Sequence, residues 1–213
     1  MSSILKEIQA KYLDKFKKAD DDLILEMEEF ARKNNVPILS WQSADFLEVL
    51  IKMNKPERVL EIGTAIAYST IRVARNLNEN AFIQTIEKSK DNIKLAKENI
   101  KRSGLGNKIE MLEGDALNLM PGLDKQYDFI FLDADKEDYM KLFDYSIKLL
   151  KTNGTIFIDN LLWHGYAAAD EVPEYYSESA KHIKKFNEMF LSHKNLKTTI
   201  IPVGDGIGLG VKV

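Results

Sequence analysis

Five short apolar runs punctuate the middle of this chain: "RVLEI" (58–62), "AFIQTIE" (81–87), "KIEMLEG" (108–114), "YDFIFLD" (127–133) and "GTIFID" (154–159). They lack the strict in–out alternation of a half-exposed strand, as expected for strands covered on both faces. Amphipathic segments separate them: 69–77, 88–104 with Gly104 as its stop, a short piece up to Pro121, and 136–150. Strands that alternate with helices predict a parallel sheet with right-handed crossovers.

The flanks complete that frame. The stretch 175–193 reads as a helix, and "LKTTIIPVGDGIGLGVKV" reads as two strands around a Gly-Asp-Gly turn. Upstream, Ile4, Leu5, Ile8, Tyr12 and Phe16 fall on one helical face. A second helix spans 21–33, Pro37 breaks the pattern, and Ser40 caps a third helix running to Met53. The expected fold class is therefore α/β: a seven-stranded, mostly parallel, doubly wound Rossmann-like sheet with an antiparallel C-terminal hairpin and a helical N-terminal cap. At 213 residues, 45% of them hydrophobic, the chain fits one domain, with a cap over 1–55 and a core over 56–213.

Charges interrupt "MSSILKEIQAKYLDKF" every few residues, so it is neither a signal peptide nor a membrane span. The chain has no cysteine, which removes disulfides and thiolate metal sites and fits a cytoplasmic location. A formal charge of -3 argues against a large basic nucleic-acid surface.

Open parallel sheets bind ligands at the carboxyl ends of their strands, near the switch in strand order. There the first strand runs into "EIGTAIAYS", where Gly63 permits a tight turn and the next helix offers free amides. The second strand ends at Glu87, an acidic residue spaced to suit a pair of ribose hydroxyls. Dinucleotide enzymes and S-adenosylmethionine (SAM) methyltransferases both use such a frame. The dinucleotide fingerprint needs three glycines; here the positions are Gly63, Ala65 and Tyr68, and the fingerprint fails twice.

"VPILS", "VLEIGTAIAYSTIR", "EGDA", "FLDADKEDY", "DNLLWHG" and "PVGDGIGLGVKV" together resemble the cation-dependent O-methyltransferases, the group of the catechol and caffeoyl-CoA enzymes. The nearest likeness is to the bacterial branch that converts 5-hydroxyuridine at wobble position 34 of tRNA to 5-methoxyuridine. The resemblance implies cofactor contacts from Leu39, Glu61, Gly63, Ser69, Glu87, Gly114, Asp115, Ala116, Asp133 and Asp135. It also implies a homodimer. One position departs from the family, which usually has glycine where this chain has Ala67.

Asp133 and Asp159 end the fourth and fifth strands on one edge of the sheet, and Asn160 adds a neutral oxygen. Either Asp alone would more simply cap a helix or turn. Together they make a hard donor set suited to Mg²⁺, with Ca²⁺ or Mn²⁺ as alternatives, and the family's metal ligands match these three residues. Lys136, three residues after Asp133, is expected to reach the same pocket, and the resemblance makes it the general base, with Asp133 the other catalytic residue. Tyr139 and Trp163 are candidates for the pocket wall, where a flat ring would stack. His164 is assigned no chemistry, and His182 and His193 are expected at the surface.

Two neighbouring oxygens on the acceptor suit such an ion, and both 5-hydroxyuridine and a small catechol-like phenol supply them. Basic clusters at Lys15, Lys17 and Lys18, at Arg32 and Lys33, and at Lys181, Lys184 and Lys185 would make a phosphate track for the tRNA anticodon region if they converged. The leading expectation is methylation of tRNA, the alternative is a small phenolic acceptor, and a reading of another class is a non-catalytic SAM- or nucleotide-binding module.

Overall fold

A computed structural model describes residues 6–17 and 21–213. Ile4, Leu5 and Lys18, named above, lie outside the described residues. Three helices come first: α1 (Glu7–Asp14), α2 (Asp22–Asn34) and α3 (Trp41–Asn54). The alternating part follows as β1 (Arg58–Ile62), α4 (Tyr68–Asn76), β2 (Phe82–Glu87), α5 (Lys90–Ser103), β3 (Ile109–Glu113), α6 (Ala116–Leu119), β4 (Tyr127–Leu132), α7 (Tyr139–Leu149) and β5 (Leu150–Ile158). The chain closes with α8 (Glu174–Leu191), β6 (Leu196–Ile201) and β7 (Ile207–Lys212).

Local chemistry sets the helix limits. Asp21 caps α2 by accepting from the Ile24 amide at 3.0 Å, and Ser40 caps α3 through the Ser43 amide at 3.1 Å. Gly104 ends α5 in the left-handed conformation, φ 70°.

The seven strands lie in the order β3-β2-β1-β4-β5-β7-β6. The first five pair in parallel, and β7 runs antiparallel to both β5 and β6. The chain steps outward from β1 to β3, then returns to the other side of β1 with β4. The switch point is therefore the crevice between the carboxyl ends of β1 and β4.

Both faces of the sheet are buried, which explains the missing alternation. Phe129 and Phe131 of β4 face a core shared with α2, α3 and α4, whereas Ile130 and Leu132 face a second core shared with α7 and α8. Phe131 meets Phe157 of β5 edge-on at 5.3 Å, a contact worth about 1 kcal/mol beyond its buried area.

Three expectations shift. The segment expected as one helix over 136–150 opens with a 3-10 turn, Lys136–Asp138, and only Tyr139 starts the α-helix. β5 begins at Leu150, four residues before the expected start, because Leu150 pairs with Tyr127 across a register shift. In α1 the expected apolar face exists but is left uncovered by the other described residues: Ile8 is 76% exposed, Tyr12 59% and Phe16, just past the helix, 60%.

Candidate active site

Gly63 closes the switch point. Its φ is +100°, and a methyl group there would stand 1.8 Å from the Asp133 carbonyl oxygen. Only glycine lets the end of β1 press this closely on the end of β4. The loop beyond it turns through Ala65 (φ 46°) and Ala67 (φ 69°), both left-handed without being glycine. Such residues cost about 1–2 kcal/mol each, so their surroundings must hold them. The Ala65 amide donates to Glu87 Oε2 at 2.8 Å, and Asn99 Nδ2 donates to the Ile66 carbonyl at 3.0 Å. α4 then starts without a side-chain cap on its first amides.

Glu61 sits beneath this loop and is fully buried. Ser69 Oγ donates to its Oε1 at 2.5 Å, and the hydroxyls of Thr70 and Thr85 donate to Oε2. Burial pushes its carboxyl up to about 7, against those hydroxyl bonds. In this arrangement Glu61 anchors Ser69 and the first turn of α4 from below.

The other proposed cofactor residues ring the same edge. Glu87 accepts from the Ala65 and Ser89 amides, both at 2.8 Å. Gly114, at φ 149°, donates its amide to the Glu87 carbonyl at 2.8 Å. Asp115 caps α6 through the Leu117 amide at 2.9 Å, and Ala116 begins that helix. Leu39 is buried in the core just before the α3 cap. Asp135 stands outermost, exposed and paired with Lys88.

One residue after β4 and β5 come Asp133 and Asp159. They share an edge: the Asp133 amide donates to the Ile62 carbonyl at 2.9 Å, and the Asp159 amide to the Leu132 carbonyl at 3.1 Å. Lys136 is buried between them. Its three N–H groups face four acceptors: Asn160 Oδ1 at 2.7 Å, the Tyr139 hydroxyl at 2.7 Å, the Ala134 carbonyl at 3.0 Å and Asp133 Oδ1 at 3.1 Å. Asp159 Oδ1 is buried and has no hydrogen-bond partner. Burial first, then the Asp133 carboxylate, drives the Asp159 carboxyl well above the ordinary carboxylate range.

This pocket is short of positive charge. Its donors are two carboxylates and one amide oxygen, a set that fits a hard divalent cation. Among the described residues, no three His, Cys, Asp or Glu side chains gather as a metal site. A cation here therefore depends on the Asn160 oxygen to complete the set. Surface depressions beside Ile8 and Tyr12 and beside Pro56 and Phe82 bring no comparable cluster together.

Tyr139 corrects an expectation. It is fully buried, its ring packs edge-on against Phe186, and its hydroxyl donates to the Asp159 carbonyl at 3.0 Å. It supports Lys136 from beneath and offers no face to an acceptor. Trp163 is half-buried, 5.3 Å from Lys136 Nζ, and tied by its Nε1 to Ser179 Oγ at 2.8 Å. It heads an aromatic group with His164, Tyr166 and Tyr176. His182 and His193 are half-buried, not exposed, and the His193 ring packs edge-on against Phe143.

Sequence reasoning missed Asp205, at the tip of the Gly-Asp-Gly turn. Its Oδ1 accepts from the His164 amide at 2.7 Å. The sequence marked that segment as a hairpin turn, and nothing in it indicated which loop the turn would meet.

A model of the O-methyltransferase family matches residues 15–213. A caffeoyl-CoA O-methyltransferase of Populus kitakamiensis is 34% identical over 172 residues, 77% of this chain and 73% of that protein. A solved Staphylococcus aureus structure, provisionally named a caffeoyl-CoA O-methyltransferase, matches with a TM-score of 0.90 at 31% identity, over 97% of this chain and 100% of that one. An O-methyltransferase of Bacillus cereus, solved with SAH (S-adenosylhomocysteine), matches with a TM-score of 0.84 at 26% identity, over 95% and 96% of the two chains.

Proposed function

The chain belongs to the O-methyltransferase family and is a SAM-dependent O-methyltransferase, and we propose that its acceptor is a small catechol-like phenol activated at a divalent-cation site. The observation that carries this reading is the cluster of Asp133, Asp159 and Asn160 oxygens around buried Lys136, with Asp159 Oδ1 left unpartnered.

In this reading the edge formed by Gly63, Ala65, Ser69 and Glu87 would hold SAM. Asp133, Asp159 and Asn160 would hold the ion, Mg²⁺ in the first place. When bound, such an ion lowers the pKa of an oxygen on it and orients an acceptor with two adjacent oxygens. Lys136 Nζ is the group placed to take the proton of the attacking hydroxyl. When bound, SAM would supply the methyl group to the acceptor oxygen and leave as S-adenosylhomocysteine. The Trp163 face, next to Lys136, stacks the flat ring.

The expected tRNA acceptor presents the same pair of oxygens, but the charge pattern supports it less. Lys17 pairs with Glu28 at 2.5 Å, Lys33 with Glu29 at 2.8 Å and Lys181 with Glu178 at 2.6 Å. Those acidic partners weaken any phosphate track. The relatives' names, which specify caffeoyl-CoA, also favour the phenolic reading.

A second copy of the chain is the proposed occupant of the uncovered α1 face. No helix among the described residues is long and apolar enough to cross a membrane, and a cytoplasmic site of action is part of the same proposal.

The test is methyl transfer from radiolabelled SAM to caffeoyl-CoA and simple catechols, with and without a chelator, beside 5-hydroxyuridine-containing tRNA. Chelator-sensitive labelling of a phenol is expected. Labelling of tRNA alone overturns the acceptor, and full labelling in chelator overturns the cation.

A further inference from the structure

We propose that Asp205 is a positioning residue: it fixes the Asn160 amide with its oxygen toward the cation site and pins the loop that carries Trp163. The inference rests on the cation reading above and goes beyond it.

An asparagine amide is nearly symmetric in shape, and only its neighbours decide which end points where. Here Asn160 lies between a group that only donates and a group that, as a carboxylate, only accepts. Lys136 Nζ donates to Oδ1 at 2.7 Å. On the other side the Asn160 side chain lies beside the Asp205 carboxyl, whose buried Oδ2 has no hydrogen-bond partner among the described residues, next to the turn that the Leu161 and Leu162 amides hold. The amide nitrogen belongs on the Asp205 side, which leaves the oxygen facing Lys136, Asp133 and Asp159.

The same turn holds the backbone of the loop. The Leu161 amide donates to the Gly206 carbonyl and the Leu162 amide to the Asp205 carbonyl, both at 2.9 Å, while the His164 amide donates to Asp205 Oδ1 at 2.7 Å. His164 Nδ1 stands 3.6 Å from Oδ2. These bonds hold Asn160, Trp163 and His164 in left-handed conformations, at φ 63°, 46° and 57°. The turn itself is closely packed. A methyl at Gly204 would stand 2.1 Å from Ser43 Oγ, and one at Gly206 2.5 Å from Leu162 Cγ. The cap of α3 and the loop after β5 thus grip the turn from two sides, and Asp205 points at the ligand the cation site depends on most.

The test uses Mn²⁺ alone as probe, titrated into the full chain by calorimetry, with S-adenosylhomocysteine binding as the check on fold. In Asp205→Asn the new side chain keeps an acceptor for the His164 amide but no longer enforces the Asn160 orientation. Mn²⁺ affinity is expected to fall about 10-fold or more, with S-adenosylhomocysteine affinity unchanged. The reversed pair, Asn160→Asp with Asp205→Asn, again sets a donor against an acceptor and is compared with Asn160→Asp alone, because a third carboxylate raises cation affinity by itself; tighter Mn²⁺ binding in the pair than in the single variant is expected. A purely structural Asp205 gives no such gain over the single variant. Wild-type Mn²⁺ affinity in folded Asp205→Asn, or no gain of the pair over Asn160→Asp alone, overturns the inference. Should Asp205→Asn not fold, Asp205→Ser is compared in the same way, and undiminished Mn²⁺ affinity there overturns it equally. A wild-type chain that binds S-adenosylhomocysteine but no Mn²⁺ overturns the cation reading itself, and this inference with it.

Discussion

Lys136 Nζ lies 2.7 Å from Asn160 Oδ1, inside the set of oxygens that would hold a divalent ion. The ammonium and the ion compete for the same donors, since Asp133 Oδ1 is also engaged by Nζ at 3.1 Å. Replacing Lys136 therefore has two separable effects. Lys136→Met leaves the Asp133 carboxylate without its counter-charge, so the metal-free protein loses about 1–3 kcal/mol. Its melting temperature should then rise more on adding Mn²⁺ than that of the wild type, because no ammonium has to be displaced. Turnover should fall about 10²–10⁴-fold for loss of the base. A smaller Mn²⁺-induced shift than wild type would show that the ammonium does not compete.

Asp159→Asn should separate stability from activity. The wild-type residue buries an oxygen with no partner and a carboxyl that burial and Asp133 hold in the acid form. Removing that acid is expected to stabilise the metal-free chain by about 1–2 kcal/mol while abolishing methyl transfer. Urea unfolding in chelator gives the first quantity and single-turnover labelling the second. Lower stability in chelator together with retained turnover would reject the role given to this residue.

How much of this was readable beforehand depended on sequence distance. The strands were legible because burial on both faces writes unbroken apolar runs. Asp133 and Asp159 were legible as neighbours because each follows one of two consecutive parallel strands, and Leu132 does pair with Ile158. Asp205 was not, since its place beside Asn160 depends on the antiparallel register that sets Ile158 against Gly208. Tyr139 was misjudged because nothing in the sequence shows that Lys136 Nζ covers its ring, 4.5 Å from the centroid, while its hydroxyl turns to the Asp159 carbonyl. The amphipathic pattern of α1 was visible, but periodicity names no partner for an apolar face.

That face gives a direct test of assembly. Ile8, Tyr12 and Phe16 stand exposed on α1 and its C-terminal turn, with Tyr12 and Phe16 edge-on at 5.0 Å. If a second copy covers them, Ile8→Lys with Tyr12→Glu should convert dimers to monomers in sedimentation velocity. The α/β fold should survive, because α1 buries no residue within the chain. A wild-type chain that sediments as a monomer at tens of micromolar concentration rules out this role for α1.

Gly63 and Ala67 sit in one loop at positive φ, yet exchanging glycine and alanine should affect them differently. Gly63→Ala puts a methyl 1.8 Å from the Asp133 carbonyl oxygen, at φ +100°. Backbone cannot yield there without parting β1 from β4, so a loss above about 3 kcal/mol is expected. At Ala67, buried at φ 69°, glycine relieves about 1–2 kcal/mol of strain. It also forfeits about 0.8 kcal/mol of methyl burial and adds about 0.4–1 kcal/mol of unfolded-state entropy. These contributions nearly cancel, so Ala67→Gly should stay within about 1 kcal/mol of wild type. That near-balance accounts for alanine being tolerated here. Urea unfolding of both variants settles it, and equal losses would mean that the contact with Asp133 is not what demands glycine.

Glu61 should give stability a pH dependence near neutrality. Its folded-state carboxyl is raised from 4.5 to about 7, chiefly by burial. The acid form is therefore favoured by folding, so this contribution is complete below about pH 4.5 and is lost as pH rises through 7. Each tenfold gain in proton affinity is worth about 1.4 kcal/mol, so the whole effect is on the order of 3 kcal/mol. Glu61→Gln cannot ionise and should lack it. Unfolding free energies of both proteins in chelator at pH 5.5 and 8.5 isolate the group, because every other titration is common to the pair. The wild type should lose about 2–3 kcal/mol relative to Glu61→Gln across that interval. A difference that does not change with pH would place an ionised carboxylate under Ser69, Thr70 and Thr85 throughout, with the three hydroxyl bonds outweighing burial.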